Sequence, residues 1–302
     1  MRALVVDPQA PAALRLAEVP EPTPAPAQAV IEVHHASINY GELNGARSGQ
    51  MPPGAVLGWD ASGVVVEAAA DGSGPPPGAR VVAFASAAWA QLATVDANAT
   101  AVVPTAVDLA DAAALPVAGV TALQALRAGG PVLGKRVLVT GASGGVGRYA
   151  VQLAALAGAT VVASVGSAAR GEGLAELGAD QVVVGLTGID QPVDVILDNV
   201  GGPQLVEAWG LLAAGGSLQS IGWTAGEPAT FPPYATVGAP KSLTSFTVTG
   251  NRGADLATLV TLVAEGSLSA EVCWRGSWDR VAEAAQALFG RRLTGKAVLD
   301  VG

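Results

Sequence analysis

Val137-Leu138-Val139-Thr140-Gly141-Ala142-Ser143-Gly144-Gly145-Val146-Gly147 is the stretch whose reading decides the fold. An apolar, β-branched run of the kind that forms a buried strand, Arg136 to Thr140, passes straight into glycines. The glycines in turn open a predicted helix, Val146 to Leu156. Strand, glycine turn and helix in that order are what dinucleotide binding requires. Gly144 lets backbone N–H groups approach a pyrophosphate, Gly147 lets the helix lie close to the strand, and the helix N-terminus supplies partial positive charge. The first glycine of the usual GxGxxG is Ala142 here, with Gly141 just before it. A glycine-rich turn without a ligand is the competing reading. The flanking strand and helix favour a phosphate site made of Ala142, Ser143, Gly144, Gly145, Val146 and Gly147.

The next strand, Thr160 to Val165, tests which cofactor fits. An NAD site wants Asp or Glu near its end to accept from the ribose 2′-hydroxyl. Here the strand runs into Gly166-Ser167-Ala168-Ala169-Arg170, and the first acid is Glu172. Ser167 and Arg170 are suited to a 2′-phosphate, which a carboxylate would repel. The expectation is NADPH. The alternative is that Ser167 only caps a helix and Arg170 is only a solvated charge.

Outward from this centre, strands and helices alternate, as in a parallel sheet wound with crossovers. A short helix is predicted over Glu172 to Leu177, strands over Gln181 to Val184 and Val193 to Leu197, a helix over Gln204 to Leu212 and a strand over Ser217 to Ile221. Before Pro116 the chain reads as β-rich, with short runs at Ala3 to Val6, Ala29 to His34, Ser62 to Glu67 and Arg80 to Ala85. After Gly250 a helix is predicted over Ala254 to Ala264. Another, Trp278 to Phe289, has Ser277 as its N-cap, and the chain closes on a strand, Lys296 to Val301. The expected architecture is α/β, with a Rossmann domain over 118–249 inserted into a mainly β domain made of 1–117 and 250–302.

Composition narrows the function. Half of the 302 residues are hydrophobic but only 4% are aromatic, so the core is built from small side chains. A formal net charge of −9 argues against a nucleic-acid surface. An uncharged stretch, Ala208 to Gly226, carries five glycines and makes a poor spanning helix. No secretory apolar segment opens the chain, and a cytoplasmic protein without a membrane partner is expected. The one cysteine, Cys273, excludes an intrachain disulfide and any zinc site with two or more cysteines, and is expected in the core. The two histidines, His34 and His35, are adjacent on a predicted strand, so they point to opposite faces and cannot share a metal.

The motifs taken together resemble the zinc-independent, quinone oxidoreductase-like branch of the medium-chain dehydrogenase/reductase superfamily. They are Ser37-Ile38-Asn39-Tyr40, Gly58-Trp59-Asp60-Ala61-Ser62-Gly63-Val64-Val65, Leu115-Pro116-Val117-Ala118-Gly119-Val120-Thr121-Ala122, the glycine loop, Asp198-Asn199-Val200-Gly201-Gly202, and Thr294-Gly295-Lys296-Ala297-Val298-Leu299. The resemblance spans nearly the whole chain. It implies a GroES-like catalytic domain carrying the inserted Rossmann domain, an active site in the cleft between them, and a homodimer or homotetramer. Zinc relatives bind a catalytic metal through a Cys near the position of Asn39 and a His-Glu pair near Trp59-Asp60. The residues here, with no structural zinc lobe, imply no metal site.

By the same resemblance, Asn39 lies near the nicotinamide ribose or the substrate oxygen, and Thr121 contacts the nicotinamide-side phosphate or ribose. Asn199, Val200, Gly222 and Trp223 follow strand ends where open α/β sheets bind ligands. Ser245-Phe246-Thr247 resembles the stretch that closes over the nicotinamide. Without zinc as a Lewis acid, a quinone or an α,β-unsaturated carbonyl becomes the expected small-molecule partner, because conjugation spreads the charge left by hydride addition. Tyr40 is the candidate general acid, with packing against a wall as its other reading. Glu42 stands where many relatives carry Asp. Two further functions stay open: an enoyl-thioester reductase of a biosynthetic pathway, and a non-catalytic NADPH-binding protein on the same fold.

Overall fold

A computed structural model describes residues 1–302. The chain divides into two compact units, one made of 1–120 and 249–302, the other of 121–248. No helix is long and apolar enough to cross a membrane.

The first unit is mainly β. Strands β1 (Arg2–Val6) and β2 (Leu14–Glu18) form an antiparallel pair. A seven-stranded sheet combines β3 (Gln28–Ser37), β4 (Asp60–Glu67), β5 (Arg80–Phe84), β6 (Leu92–Asp96) and β7 (Thr100–Val102) with two strands from the chain's far end, β14 (Val272–Ser277) and β15 (Lys296–Asp300). Its order is β14-β15-β3-β4-β5-β7, with β6 also paired to β3. Helices α1 (Tyr40–Arg47), α2 (Leu109–Ala113), α6 (Arg252–Ala264) and α7 (Val281–Phe289) complete the unit, and α3 (Pro116–Ala128) starts in it.

Two apolar clusters hold the first unit. Ile31, Val33, Ala61, Val65, Val81 and Ala83 fill one, and Leu43, Leu57, Trp89, Trp278 and Leu299 anchor the other. Each such Val, Leu or Ile contributes about 1.5–3 kcal/mol when fully buried. The sheet register matters for the site. Ser37 pairs with Asp60 across β3 and β4, and Val298 pairs with Ser37 across β15 and β3. Carried two residues further, the second register brings Lys296 opposite Asn39. Residues far apart in sequence are thereby delivered to one place.

The second unit is a parallel sheet of β8 (Arg136–Thr140), β9 (Thr160–Val165), β10 (Gln181–Val184), β11 (Val193–Asp198), β12 (Leu212–Ser220) and β13 (Ser242–Ser245). It is wound with α4 (Gly145–Leu156) and α5 (Gly202–Leu211). The strands lie in the order β10-β9-β8-β11-β12-β13. Counted from β8 this is 3-2-1-4-5-6, the Rossmann order, whose switch point falls between β8 and β11. Buried Val137 to Val139, Val161 to Ala163 and Val195 to Leu197 make the continuous apolar runs that a parallel sheet covered on both faces demands.

Several expectations need correction. Residues Glu172 to Leu177 form turns rather than a helix, and the local helical turn is a 3₁₀ segment at Ala168–Gly171. Gly173, at φ +77°, interrupts the helix where an L side chain would be strained. Ser277 does cap, but it caps a 3₁₀ turn, Trp278–Arg280, and α7 begins only at Val281. Cys273 is exposed on β14, its Sγ 3.4 Å from the Lys296 carbonyl, because the inward residues of this alternating strand are its neighbours Val272 and Trp274. Strands β2, β6, β7, β13 and β14 were not legible in advance, being short or polar.

Candidate functional site

In the second unit the glycine loop leaves β8 and caps α4 with Gly144, whose position offers no side-chain cap. The first N–H groups of α4 therefore face outward with no acceptor from their own helix. Gly147 cannot be larger: a Cβ there would lie 2.6 Å from the Ala142 Cα. Ala142 and Ser143 are buried, and the Ser143 hydroxyl accepts from Arg170 Nε at 3.0 Å. Arg170 belongs to the 3₁₀ turn just past β9, and Ser167, which opens that turn, makes no side-chain capping bond. A guanidinium thus reaches the edge of a cradle of backbone donors, and the first acid in sequence beyond β9, Glu172, is exposed. These groups fit a dinucleotide that carries a 2′-phosphate.

The carboxyl ends of the neighbouring strands are tied together from below. The Thr140 hydroxyl donates to Asp198 Oδ1 at 2.5 Å, and the Asn199 amide donates to the Thr140 carbonyl at 2.9 Å. Asp198 is buried, which raises its carboxyl pKa, and its second oxygen accepts from Gly201 N–H at 2.9 Å. Trp223 lies over Gly201, where a Cβ would come within 2.6 Å of the indole. Its ring N–H donates to the Glu227 carbonyl at 2.7 Å, and the side chain stays 46% exposed. Val200 and Gly222 flank these residues, half-buried. Thr121 is buried on α3, Phe246 is half-buried just past β13, and Thr247 is exposed.

In the first unit four polar side chains converge that composition alone would not put together. Asp60 and Glu42 are fully buried and Lys296 nearly so. Lys296 Nζ donates to Asn39 Oδ1 at 2.7 Å, to Asp60 Oδ2 at 3.1 Å and to the Ile38 carbonyl at 3.2 Å. Asn39 Nδ2 donates to Glu42 Oε2 and to Asp60 Oδ2, both at 2.9 Å. Asp60 also accepts from the Ser37 hydroxyl and, at 2.8 Å, from the Val117 N–H near the start of α3. Glu42 accepts from the Trp59 and Gly58 N–H groups at 2.7 and 3.1 Å. Burial pushes the Glu42 carboxyl up to about 8, and the nearby Asp60 charge adds to the effect.

A family model described as zinc-binding dehydrogenase matches residues 145–265, and one described as alcohol dehydrogenase GroES-like domain matches 25–114. The chain belongs to the medium-chain dehydrogenase/reductase superfamily. Within that superfamily it is quinone oxidoreductase-like. It is 37% identical over 188 residues to a chloroplast envelope quinone oxidoreductase homolog of Arabidopsis thaliana, covering 57% of this chain and 56% of that protein. It is 36% identical over 207 residues to erythronolide synthase EryA2 of Saccharopolyspora erythraea, covering 64% of this chain and 6% of that one. The chain thus spans just over half of the first of these relatives and a small part of the second. Among solved structures, mycobacterial Rv1454c complexed with NADPH superposes with a TM-score of 0.89 at 26% identity, covering 99% of this chain and 100% of the other.

The zinc of other superfamily members does not fit the residues present. Asp60 Oδ2 already takes donors from Ser37, Asn39 and Lys296, and Oδ1 takes Val117 N–H, so both carboxylate oxygens are engaged by protein donors. The neighbouring cation is the Lys296 ammonium itself. His35 is occupied by Asp300, Nδ1 to Oδ1 at 2.9 Å, while His34 lies 3.9 Å from Glu32. Tyr40 sits at the first position of α1, 39% exposed, with its ring edge against Phe289, and the structure does not bring its hydroxyl into the Asn39 network. Trp89 is core and donates to the Ser37 carbonyl at 3.3 Å. Tyr234 is 83% exposed.

Sequence reasoning left Lys296, Asp60 and Glu42 out of the site. A usable signal existed: Lys296 stands directly before the apolar run Ala297-Val298-Leu299 of the closing strand, and a charge buried there requires a partner.

Proposed function

We propose that this protein is an NADPH-dependent oxidoreductase that transfers hydride to a quinone or another α,β-unsaturated carbonyl, without zinc. The observation that carries this reading is the buried Asn39–Glu42–Asp60–Lys296 network, of which Asn39 and Asp60 stand, by the resemblance, near the positions of metal ligands in zinc relatives. With no Lewis acid at hand, an acceptor whose own conjugation spreads negative charge is the chemically consistent partner. The bound NADPH supplies the hydride. The residues of the chain bind and orient: the α4 start and the glycine loop take the pyrophosphate, Ser167 and Arg170 take the 2′-phosphate, and Asn39 serves the reacting end. The NADPH complex of the mycobacterial neighbour and the name of the plant relative support this assignment. Assembly as a dimer or tetramer belongs to the same proposal.

A second reading, reduction of an enoyl thioester, is favoured by the match to a segment of erythronolide synthase. Both are tested by one experiment. Protein stripped by prolonged chelation, and shown metal-free by elemental analysis, is assayed for NADPH consumption with a quinone, an enone and an enoyl thioester. Turnover of the quinone or enone at the rate of untreated protein is expected. A stoichiometric zinc whose removal abolishes turnover would overturn the zinc-free assignment. Preference for the thioester would establish the second reading, and cofactor binding without turnover of any acceptor would leave a non-catalytic binder.

A further inference from the structure

A buried ammonium is an expensive way to fill space, and an apolar side chain of similar volume often serves stability as well or better. Lys296 therefore invites the question of what its charge arranges. Its three hydrogens go to the Ile38 carbonyl, the Asn39 amide oxygen and Asp60. An ammonium has no acceptor, so the Asn39 atom facing it is the oxygen. The opposite atom is then the amide nitrogen, and it donates to Glu42 and Asp60. Both amide hydrogens are thereby committed inside the protein. The one hydrogen-bonding capacity that Asn39 retains is the second lone pair of Oδ1.

We infer that Lys296 is a positioning residue: with Asp60 and Glu42 it locks the Asn39 amide in one orientation and makes Asn39 a hydrogen-bond acceptor, fitted to a ligand hydroxyl rather than to a developing oxyanion. This reverses the polarity expected of an asparagine that stabilises negative charge. It also explains why the register of β15 on β3 delivers a lysine from the far end of the chain to this point. The kinetic part of the inference rests on the reductase reading, whereas the wiring of the amide does not.

The test uses the full-length protein labelled with ¹⁵N-asparagine. The chain has five asparagines, so the side-chain amide spectrum is simple, and Asn39→Ala identifies the Asn39 pair by its loss. In the wild type the Asn39 amide hydrogens should exchange with water at least about tenfold more slowly than those of an exposed asparagine. Lys296→Met frees the amide to flip. Its hydrogens should then exchange about tenfold faster and kcat should fall about tenfold, with the NADPH Kd within about twofold. Lys296→Met with Asp60→Asn removes both charges and guards against a variant that fails to fold; it should regain Tm without regaining kcat. Fast exchange in the wild type overturns the inference by itself. Unchanged exchange or unchanged kcat in either folded variant also overturns it. If the wild type reduces no acceptor, the exchange measurement still decides the wiring, and only the reductase reading fails.

Discussion

Replacing Asn39 with alanine is expected to lower kcat/KM by roughly one to three orders of magnitude, the scale for losing a group that holds the reacting partners in position. The structure adds a second reason. The amide bridges Lys296 on one side and both Glu42 and Asp60 on the other, so its removal leaves three buried polar groups short of a partner. An unsatisfied buried group costs about 1–3 kcal/mol, more when it is charged. Some loss of Tm should therefore accompany the loss of rate. NADPH affinity should change much less, because the residues proposed to hold the phosphates all belong to the second unit. Steady-state kinetics with a quinone, read together with Tm and the NADPH Kd, check this. A kcat/KM within twofold of wild type would remove Asn39 from the reacting end.

Arg170→Ala is expected to weaken NADPH binding by about 1.5–3 kcal/mol, the scale of a charge-assisted hydrogen bond, or roughly 10- to 150-fold in Kd. NADH, which lacks the 2′-phosphate, should lose almost nothing. Arg170 Nε is 3.0 Å from the Ser143 hydroxyl, so part of the guanidinium is spent on holding the loop. That contact gives the experiment its discrimination. If the arginine serves only the loop, both cofactors weaken together. If it serves the 2′-phosphate, the difference between the two Kd values collapses in the variant while NADH binding is preserved. Titration by nicotinamide fluorescence measures both, and equal losses would contradict the assignment.

The Rossmann half was legible because local patterns carry it. Arg136–Thr140, Thr160–Val165 and Gln181–Val184 lie where apolar runs bounded by glycine turns predict them. Prediction broke down where the determining contacts are long-range or the local signal is polar. Strand β13 is four exposed residues, Ser242–Ser245, held by pairing to β12 and by nothing in its own pattern. Over Glu172 to Leu177 the acids and leucines suggest a helix, yet glycines at 171, 173 and 178 dictate turns. Asn39 was visible from its motif, but not its polarity. That depends on a lysine 257 residues away, and no window of sequence contains both. Tyr40 was visible for the same reason as Asn39, and the structure gives it a ring contact with Phe289 in place of a hydrogen bond.

The central claim, direct reduction of a conjugated carbonyl by bound NADPH without metal, is tested most directly by isotope transfer. Metal-free protein is incubated with NADPH dideuterated at the nicotinamide C4 and with an α,β-unsaturated ketone, and the saturated product is examined by mass spectrometry. The account predicts one deuterium per product molecule, on the β-carbon, with one NADPH consumed for each ketone reduced. Product free of deuterium, or deuterium transfer that appears only when zinc is restored, would contradict it.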